Sequence, residues 1–276
     1  MKYKKVSINI PTFNNEKTIR QTLKSVKAQS YSNIEILIID SNSKDKTLEI
    51  IKEFKGIKVY QYDGKLLGAR ALGVEKSKGE YVAMIDSDQI LESTAIERAV
   101  KLAEEKDYDM LVLYERSWKP KTFLEKLFDA DRKLTQKYWK DFSKPYSGVT
   151  LPRFYKKKIL VKTFKNIPKK FLPICGAHDH AIIYIEAHKI SQKVGMLPRA
   201  VFHMEPGKWI PLFKKTYRWG YTTKDLEQDP FYRDLIKAKK SMRKFKWGSP
   251  GLSLKSNLLR VIRAIPYGTG YIFGKK

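Results

Sequence analysis

Within the first 110 residues, short apolar runs recur at intervals that leave room for one amphipathic helix between neighbours. No other feature constrains the fold as tightly. Val6-Ser7-Ile8-Asn9-Ile10 stops at Pro11. Ile34-Glu35-Ile36-Leu37-Ile38-Ile39 runs into Asp40. Ile57-Lys58-Val59-Tyr60 follows, and then Tyr81-Val82-Ala83-Met84-Ile85 runs into Asp86. The spacers read as helices, from about Glu16 to Gln29 (Ile19, Leu23 and Val26 on one face), Thr47 to Phe54 and Gly68 to Ser77. This is the pattern of βαβ units, and it predicts an α/β fold around a mostly parallel sheet. Right-handed crossovers then bring Thr12, Asp40 and Asp86 to one sheet edge.

The run ending in Asp86-Ser87-Asp88 carries the sharpest chemical signal. On an extended chain, residues i and i+2 project to the same side. Both carboxylates therefore sit where open α/β sheets bind ligands. They repel unless a cation lies between them, and hard oxygen ligands suit Mg²⁺ or Mn²⁺ arriving with substrate phosphates. An Asp-x-Asp alone is also an ordinary solvated turn. The rest of the edge suits a nucleotide: backbone at Pro11 and Thr12 to frame a base, Asp40 to accept from a base N–H or ribose hydroxyl, and Arg70 to reach a diphosphate. Asp40 by itself could equally cap a helix, and Arg70 could be a surface ion-pair residue. No Gly-x-Gly-x-x-Gly follows the first strand and no Walker-type loop is present, which argues against dinucleotide oxidoreductases and P-loop enzymes.

Charge divides the chain. Residues 1–110 hold 19 Lys and Arg against 17 Asp and Glu, whereas 111–276 hold 37 against 12. A cationic half implies an anionic partner, whether nucleic acid, membrane surface or phosphorylated substrate. The lysine content also fits a thermophilic source. The single cysteine, Cys175, excludes an intramolecular disulfide and fits a reducing compartment. Met1-Lys2-Tyr3-Lys4-Lys5 does not read as a secretory leader. No apolar run reaches the roughly 18–20 residues of a membrane span.

The opening Val6–Glu16 run resembles that of the family 2 glycosyltransferases, which have the GT-A fold. So do Gln29–Asp45, Gly68-Ala69-Arg70-Ala71-Leu72-Gly73, and Lys78-Gly79-Glu80-Tyr81 before Asp86-Ser87-Asp88. These motifs stand in family order. The resemblance implies a nucleoside-diphosphate sugar donor, with Pro11, Thr12, Asn14, Glu16, Asp40, Arg70 and Asp86 near the nucleotide and the Asp-x-Asp pair at a divalent metal. Ala71 stands where the family often has Asn. Further on, Gly176-Ala177-His178-Asp179-His180 matches the place where the family has an acidic pair opening a helix, with His178 replacing the first acid. The resemblance makes Asp179 the general base of an inverting reaction. Gly195–His203 is similar to the family's last strand, so Asp86, Asp88 and His203 form the expected metal set. An imidazole among them would favour Mn²⁺ somewhat over Mg²⁺.

Phe123 to Trp139 is helical in pattern and reads as a packing insertion. After residue 205, Trp209, Ile210, Phe213, Tyr217 and Tyr221 recur at helical spacing among Lys214, Lys215 and Arg218. Leucines and isoleucines from Leu252 to Ile265 recur among Lys255, Arg260 and Arg263. Amphipathic basic segments too short to span read as interfacial helices on anionic lipid, or as helices packed on the catalytic domain with a wet basic face.

The expected organisation is a GT-A catalytic domain at 1–205, followed by a basic amphipathic membrane-associating tail at 206–276. Within the domain, 1–110 form the nucleotide-sugar half and 111–205 the acceptor half, with a helical insertion at about 118–142. His178, Arg153, Trp209 and Arg218 are assigned to the acceptor or membrane side. The expected activity is metal-dependent, inverting transfer of a sugar to a hydroxyl of a lipid-linked glycan or glycolipid, at the cytoplasmic face of the cell membrane. A polyprenyl-phosphate glycosyltransferase is the alternative within the class. Outside it, a basic nucleic-acid-binding protein on an idle sheet would suit the charge, but no recognised nucleic-acid module or groove-reading helix appears, so no specific nucleic acid is expected.

Overall fold

The computed structural model describes residues 4–138, 145, 151–230, 232–234, 237 and 249–274. The chain divides into two compact units. The first comprises Met1–Glu115, Leu151–Cys175 and Asp179–Met204. The second comprises Arg116–Thr150, Gly176–His178 and Glu205–Lys276.

The first unit alternates as the apolar runs predict. Its elements are β1 (Val6–Thr12), α1 (Ile19–Lys27), β2 (Ile34–Asp40), α2 (Thr47–Lys52), β3 (Ile57–Gln61), α3 (Leu66–Lys76), β4 (Tyr81–Met84), β5 (Gln89–Leu91), α4 (Ala95–Glu105), β6 (Met110–Ser117), β7 (Phe154–Lys156), α6 (Lys157–Asn166), α7 (Asp179–Ile190) and β8 (Val194–His203). Between β6 and β7 the chain contributes α5 (Phe123–Tyr138) to the second unit. Among the described residues the strands form one sheet in the order β3-β2-β1-β4-β7-β6-β8-β5. β1 pairs parallel with β2 and β4, and β2 with β3. β7 runs antiparallel to β4 and β6, and β5 antiparallel to β8.

Burial on both faces explains why the central strands read as unbroken apolar runs. Val6, Ile8 and Ile10 of β1 join Ile19, Leu23 and Val26 of α1 and Ile96, Ala99 and Val100 of α4 in the main core. On the opposite face Leu37 and Ile39 pack on Ala69 of α3. Gly79 has no alternative: a Cβ there would lie 2.6 Å from the Ser7 amide nitrogen.

Two element boundaries move for local reasons. α1 begins at Ile19 rather than near Glu16, because Asn14 turns through φ 54° and its loop is bonded to residues 43–46. The sequence Asp107–Tyr114 reads as a strand, but β6 begins at Met110, because Asp107 takes φ 49° in a turn pinned by Lys156 and Lys193.

Among the described residues the second unit is helical, with α5, α8 (Trp209–Gln228) and α9 (Pro250–Phe273). Leu124 and Leu127 of α5, Leu212 of α8 and Leu259 of α9 make its core. α8 and α9 cross where both carry glycine. A Cβ on Gly220 would meet the Tyr267 carbonyl at 2.1 Å, and one on Gly270 the Tyr217 carbonyl at 2.0 Å. Arg263 stacks over Phe128 and Trp219, and Ser256 donates to Asp131 at 2.6 Å. Among the described residues no helix is long and apolar enough to cross a membrane.

Candidate active site

The sheet edge at the C-terminal ends of β1, β2 and β4 gathers the polar residues of the first unit. Asp40, fully buried at the end of β2, accepts from the Thr12 hydroxyl at 3.1 Å, the Ser43 hydroxyl at 2.6 Å and the Ser43 amide at 3.0 Å. Asn14 takes the Lys44 amide at 2.7 Å, and Glu16 takes the Lys46 amide at 3.2 Å. Pro11 and Thr12 are buried in β1 beside Ile39 and Asp40. Pro11, Thr12, Asn14, Glu16 and Asp40 thus share one loop cluster, stitched together by the β1–α1 and β2–α2 connections.

Asp86 leaves β4 into a network of buried charges. Its Oδ1 is 2.5 Å from Arg70 Nη2 and its Oδ2 is 2.9 Å from Arg153 Nη1. Arg70, only 1% exposed, turns its Nε to Asp179 Oδ2 at 2.5 Å, and its Nη1 has no hydrogen-bond partner among the described residues. Arg153 Nε reaches Glu115 at 2.6 Å, and Gln89 donates to the same Glu115 oxygen at 2.9 Å. His180 Nε2 lies 2.7 Å from Arg153 Nη1. Burial alone would raise Asp86 and Asp179. The neighbouring guanidiniums win, holding Asp86 well below the usual carboxylate range and Asp179 below it. Burial, followed by the Arg70 and Arg153 charges, pushes His180 down to about 4, so its imidazole is neutral at physiological pH.

Asp88 is built differently. Its carboxylate is partly exposed and its Oδ1 lies 3.5 Å from His203 Nε2 at the end of β8. The β5–β8 pairing sets this approach, with Gln89 opposite His203, and the Asp88 carbonyl accepts from the Met204 amide at 2.8 Å. One carboxylate oxygen and one imidazole nitrogen on a partly open edge fit a divalent cation that keeps waters and substrate phosphates as its other ligands. Among the described residues no three His, Cys, Asp or Glu side chains converge as a complete cage, and both Asp86 oxygens face arginines.

Of the residues expected on the acceptor or membrane side, His178, Trp209 and Arg218 belong to the second unit. His178 adopts φ 64° and sits 2.8 Å from the Thr223 hydroxyl, within the second unit. Trp209 and Arg218 are exposed on α8. Arg153, expected on the acceptor or membrane side, lies in the buried network at Asp86. Glu115 and His180 were not singled out from the sequence. The available signals were an acid closing the apolar run of β6 and the position next to Asp179 at the start of α7.

The sequence model described as glycosyl transferase family 2 matches residues 7–173. The chain belongs to this family. Among relatives, the poly(ribitol-phosphate) beta-N-acetylglucosaminyltransferase TarP of Staphylococcus aureus is 35% identical over 117 residues, 40% of this chain and 36% of TarP. The UDP-Glc:alpha-D-GlcNAc-diphosphoundecaprenol beta-1,3-glucosyltransferase WfaP of Escherichia coli is 36% identical over 103 residues, 36% of this chain and 41% of WfaP. The chain therefore spans about two fifths of these relatives' length.

Among solved structures, S. aureus TarS 1-349 in complex with UDP-GlcNAc superposes with a TM-score of 0.59 at 15% identity, over 97% of this chain and 90% of that one. The mannosyltransferase PcManGT of Pyrobaculum calidifontis, in complex with GDP-Man and Mn²⁺, superposes with a TM-score of 0.62 at 14% identity, over 99% and 88%. The fold is that of GT-A glycosyltransferases.

Proposed function

We propose that this family 2 member is a metal-dependent, inverting glycosyltransferase. It moves a sugar from a nucleoside-diphosphate donor to a hydroxyl of a lipid-linked glycan or glycolipid, bound peripherally at the inner face of the cell membrane. The observation that carries the reading is the chain of contacts Asp86–Arg70–Asp179, which ties the end of β4 to the first turn of α7 beside the Asp88–His203 pair. A transferase needs an anchor for a diphosphate and a proton acceptor at one edge, and this arrangement supports that reading.

In this reading the loop cluster at Pro11, Thr12, Asn14, Glu16 and Asp40 receives the nucleoside. Asp88 and His203 would hold a Mn²⁺ or Mg²⁺, with Asp86 beside them. Bound there, the cation would neutralise charge on the departing diphosphate. Asp179 is kept ionised by Arg70 and takes the acceptor hydroxyl's proton as the oxygen attacks the sugar carbon from the face opposite the leaving group. The complexes of TarS with UDP-GlcNAc and of PcManGT with GDP-Man support a nucleotide-sugar donor, and WfaP's diphosphoundecaprenol acceptor supports a lipid-linked one.

A thermal-shift series with UDP-, GDP- and dTDP-sugars, with and without Mn²⁺, on wild type and Asp88→Asn, tests the reading. A ligand at ~100 times its dissociation constant adds about 2.7 kcal/mol to native stability. A metal-dependent shift from one donor class, lost in Asp88→Asn, is the expected result. Absence of a shift with every donor in the presence of Mn²⁺ would overturn it.

A further inference from the structure

α9 presents a stripe that a helix in water does not carry. Leu254, Leu258, Val261, Ile265 and Ile272 are between 40% and 73% exposed. At 3.6 residues per turn they fall within about 60° of arc and extend ~27 Å along the axis. The helix's cations all lie outside that arc. Arg260 is beside Asp131, and Arg263 is over Phe128 and Trp219 on the packed side. The buried residues Ser253, Ser256, Leu259 and Gly270 occupy the opposite face, so the stripe faces away from the unit's own core.

α8 adds a flank of different character. Trp209, Ile210, Phe213 and Tyr217 are exposed together with Lys214 and Arg218. Phe213 and Tyr217 lie within about 60° of Gly220, the crossing point with α9. Lys214 and Arg218 lie further round the helix, at about 120° and 160° from Gly220, so rings nearest α9 give way to cations, a gradation that suits the headgroup level of a bilayer, apolar on one side and wet on the other.

We propose that the helical unit docks on an anionic lipid surface. α9 lies in the interfacial plane with its Leu254–Ile272 stripe below the headgroups, and the Trp209–Arg218 flank of α8 sits at phosphate level. This rests on, and gives a surface to, the peripheral membrane attachment in the proposed function. Charge selects the occupant. Residues 206–276 carry 17 Lys and Arg against 4 Asp and Glu. A second copy seated on the stripe would bring two such surfaces together, whereas anionic lipid makes the same charge attractive. α9 cannot span the bilayer, so it lies along the surface.

The test is flotation of the full chain with phosphatidylcholine vesicles, with and without phosphatidylglycerol, for wild type and the double variant Val261→Glu/Ile265→Glu. Wild type should float with phosphatidylglycerol vesicles and at least about tenfold less with neutral ones. The double variant, altered only at exposed positions, should keep its melting temperature and lose at least about tenfold in partitioning. Equal flotation of variant and wild type would overturn the proposal, as would no flotation of wild type. So would a concentration-dependent dimer in sedimentation velocity that the double variant dissolves while lipid binding is absent. The donor-induced thermal shift separates this from the reaction. Flotation lost in the variant with the shift intact supports the docking surface alone, and wild-type flotation without any donor shift overturns only the catalytic reading.

Discussion

Arg70 Nε and Asp179 Oδ2 stand 2.5 Å apart although 109 positions separate them in the chain. The contact joins α3 to α7 across the end of the sheet, and the same guanidinium reaches Asp86. One buried cation thus fixes both carboxylates to which the proposed reaction assigns separate work. Arg153, which acts most strongly on Asp86, and Arg70, which acts most strongly on Asp179, keep them ionised where burial would otherwise neutralise them.

Arg70→Met leaves Asp179 with a buried charge beside Asp86 and removes the nearest counter-ion of both. Removing one partner of a buried pair costs about 3–5 kcal/mol. For a chain of this size the melting temperature should fall by about 10 °C. Adding Asp179→Asn should recover part of the loss, because no uncompensated carboxylate then remains. A thermal-melt double-mutant cycle with additive losses would refute the coupling.

Asp179→Asn is nearly isosteric and removes the proton acceptor. Turnover with a hydroxyl acceptor should drop by about a hundredfold or more while the donor-induced thermal shift persists. Near-wild-type turnover with that acceptor would remove Asp179 as the base.

Glu35, buried at the start of β2, accepts from the Ser7 hydroxyl at 2.6 Å, the Lys78 amide and Lys58 Nζ at 3.1 Å. Burial raises its pKa, but these donors together bring it below the ordinary value. An acid depressed in the folded state stabilises the fold above its unfolded pKa of about 4.3, and that contribution disappears as pH falls through the folded value. Glu35→Gln should therefore flatten the acid limb of the stability curve below about pH 4.3, measured by urea titration across pH. An unchanged slope would remove Glu35 from the acid response.

Gly270→Val forces side-chain atoms against the Tyr217 carbonyl at the α8–α9 crossing. Overpacking of this kind costs about 1–3 kcal/mol or more, because backbone rather than a flexible side chain must yield. The melting temperature should fall while the donor-induced increment stays the same. Full wild-type stability would mean that the crossing is looser than the close approach of the two glycines implies.

The strands and helices of the first unit were legible because each is a local pattern. Val6, Ile8 and Ile10 alternate, Ile19, Leu23 and Val26 repeat at helical spacing, and Pro11, Asp40 and Asp86 end the runs of β1, β2 and β4. Asp88 and His203 could be named as partners only through family resemblance. Their approach depends on β5 pairing with β8, and the three residues of β5 are too short a run to announce a strand. Arg153 was harder still. Its segment is expected on the acceptor or membrane side, yet it is buried between Asp86 and Glu115. α5 reads as an insertion in the acceptor half, whereas Leu124 and Leu127 pack with Leu212 and Leu259 from the end of the chain.

By itself the sequence determined the alternation of strand and helix, the edge on which the carboxylates gather, and the cationic, amphipathic character of the last seventy or so residues. Periodicity and net charge are properties of neighbours along the chain. The tertiary structure decided which charges are paired, which imidazole faces which carboxylate, and which apolar side chains of α9 are left facing outward. Those outcomes depend on contacts between residues from 16 to 109 positions apart around Arg70 alone, brought together by different elements of the fold. Their strength is set by burial, and burial exists only once the chain has folded.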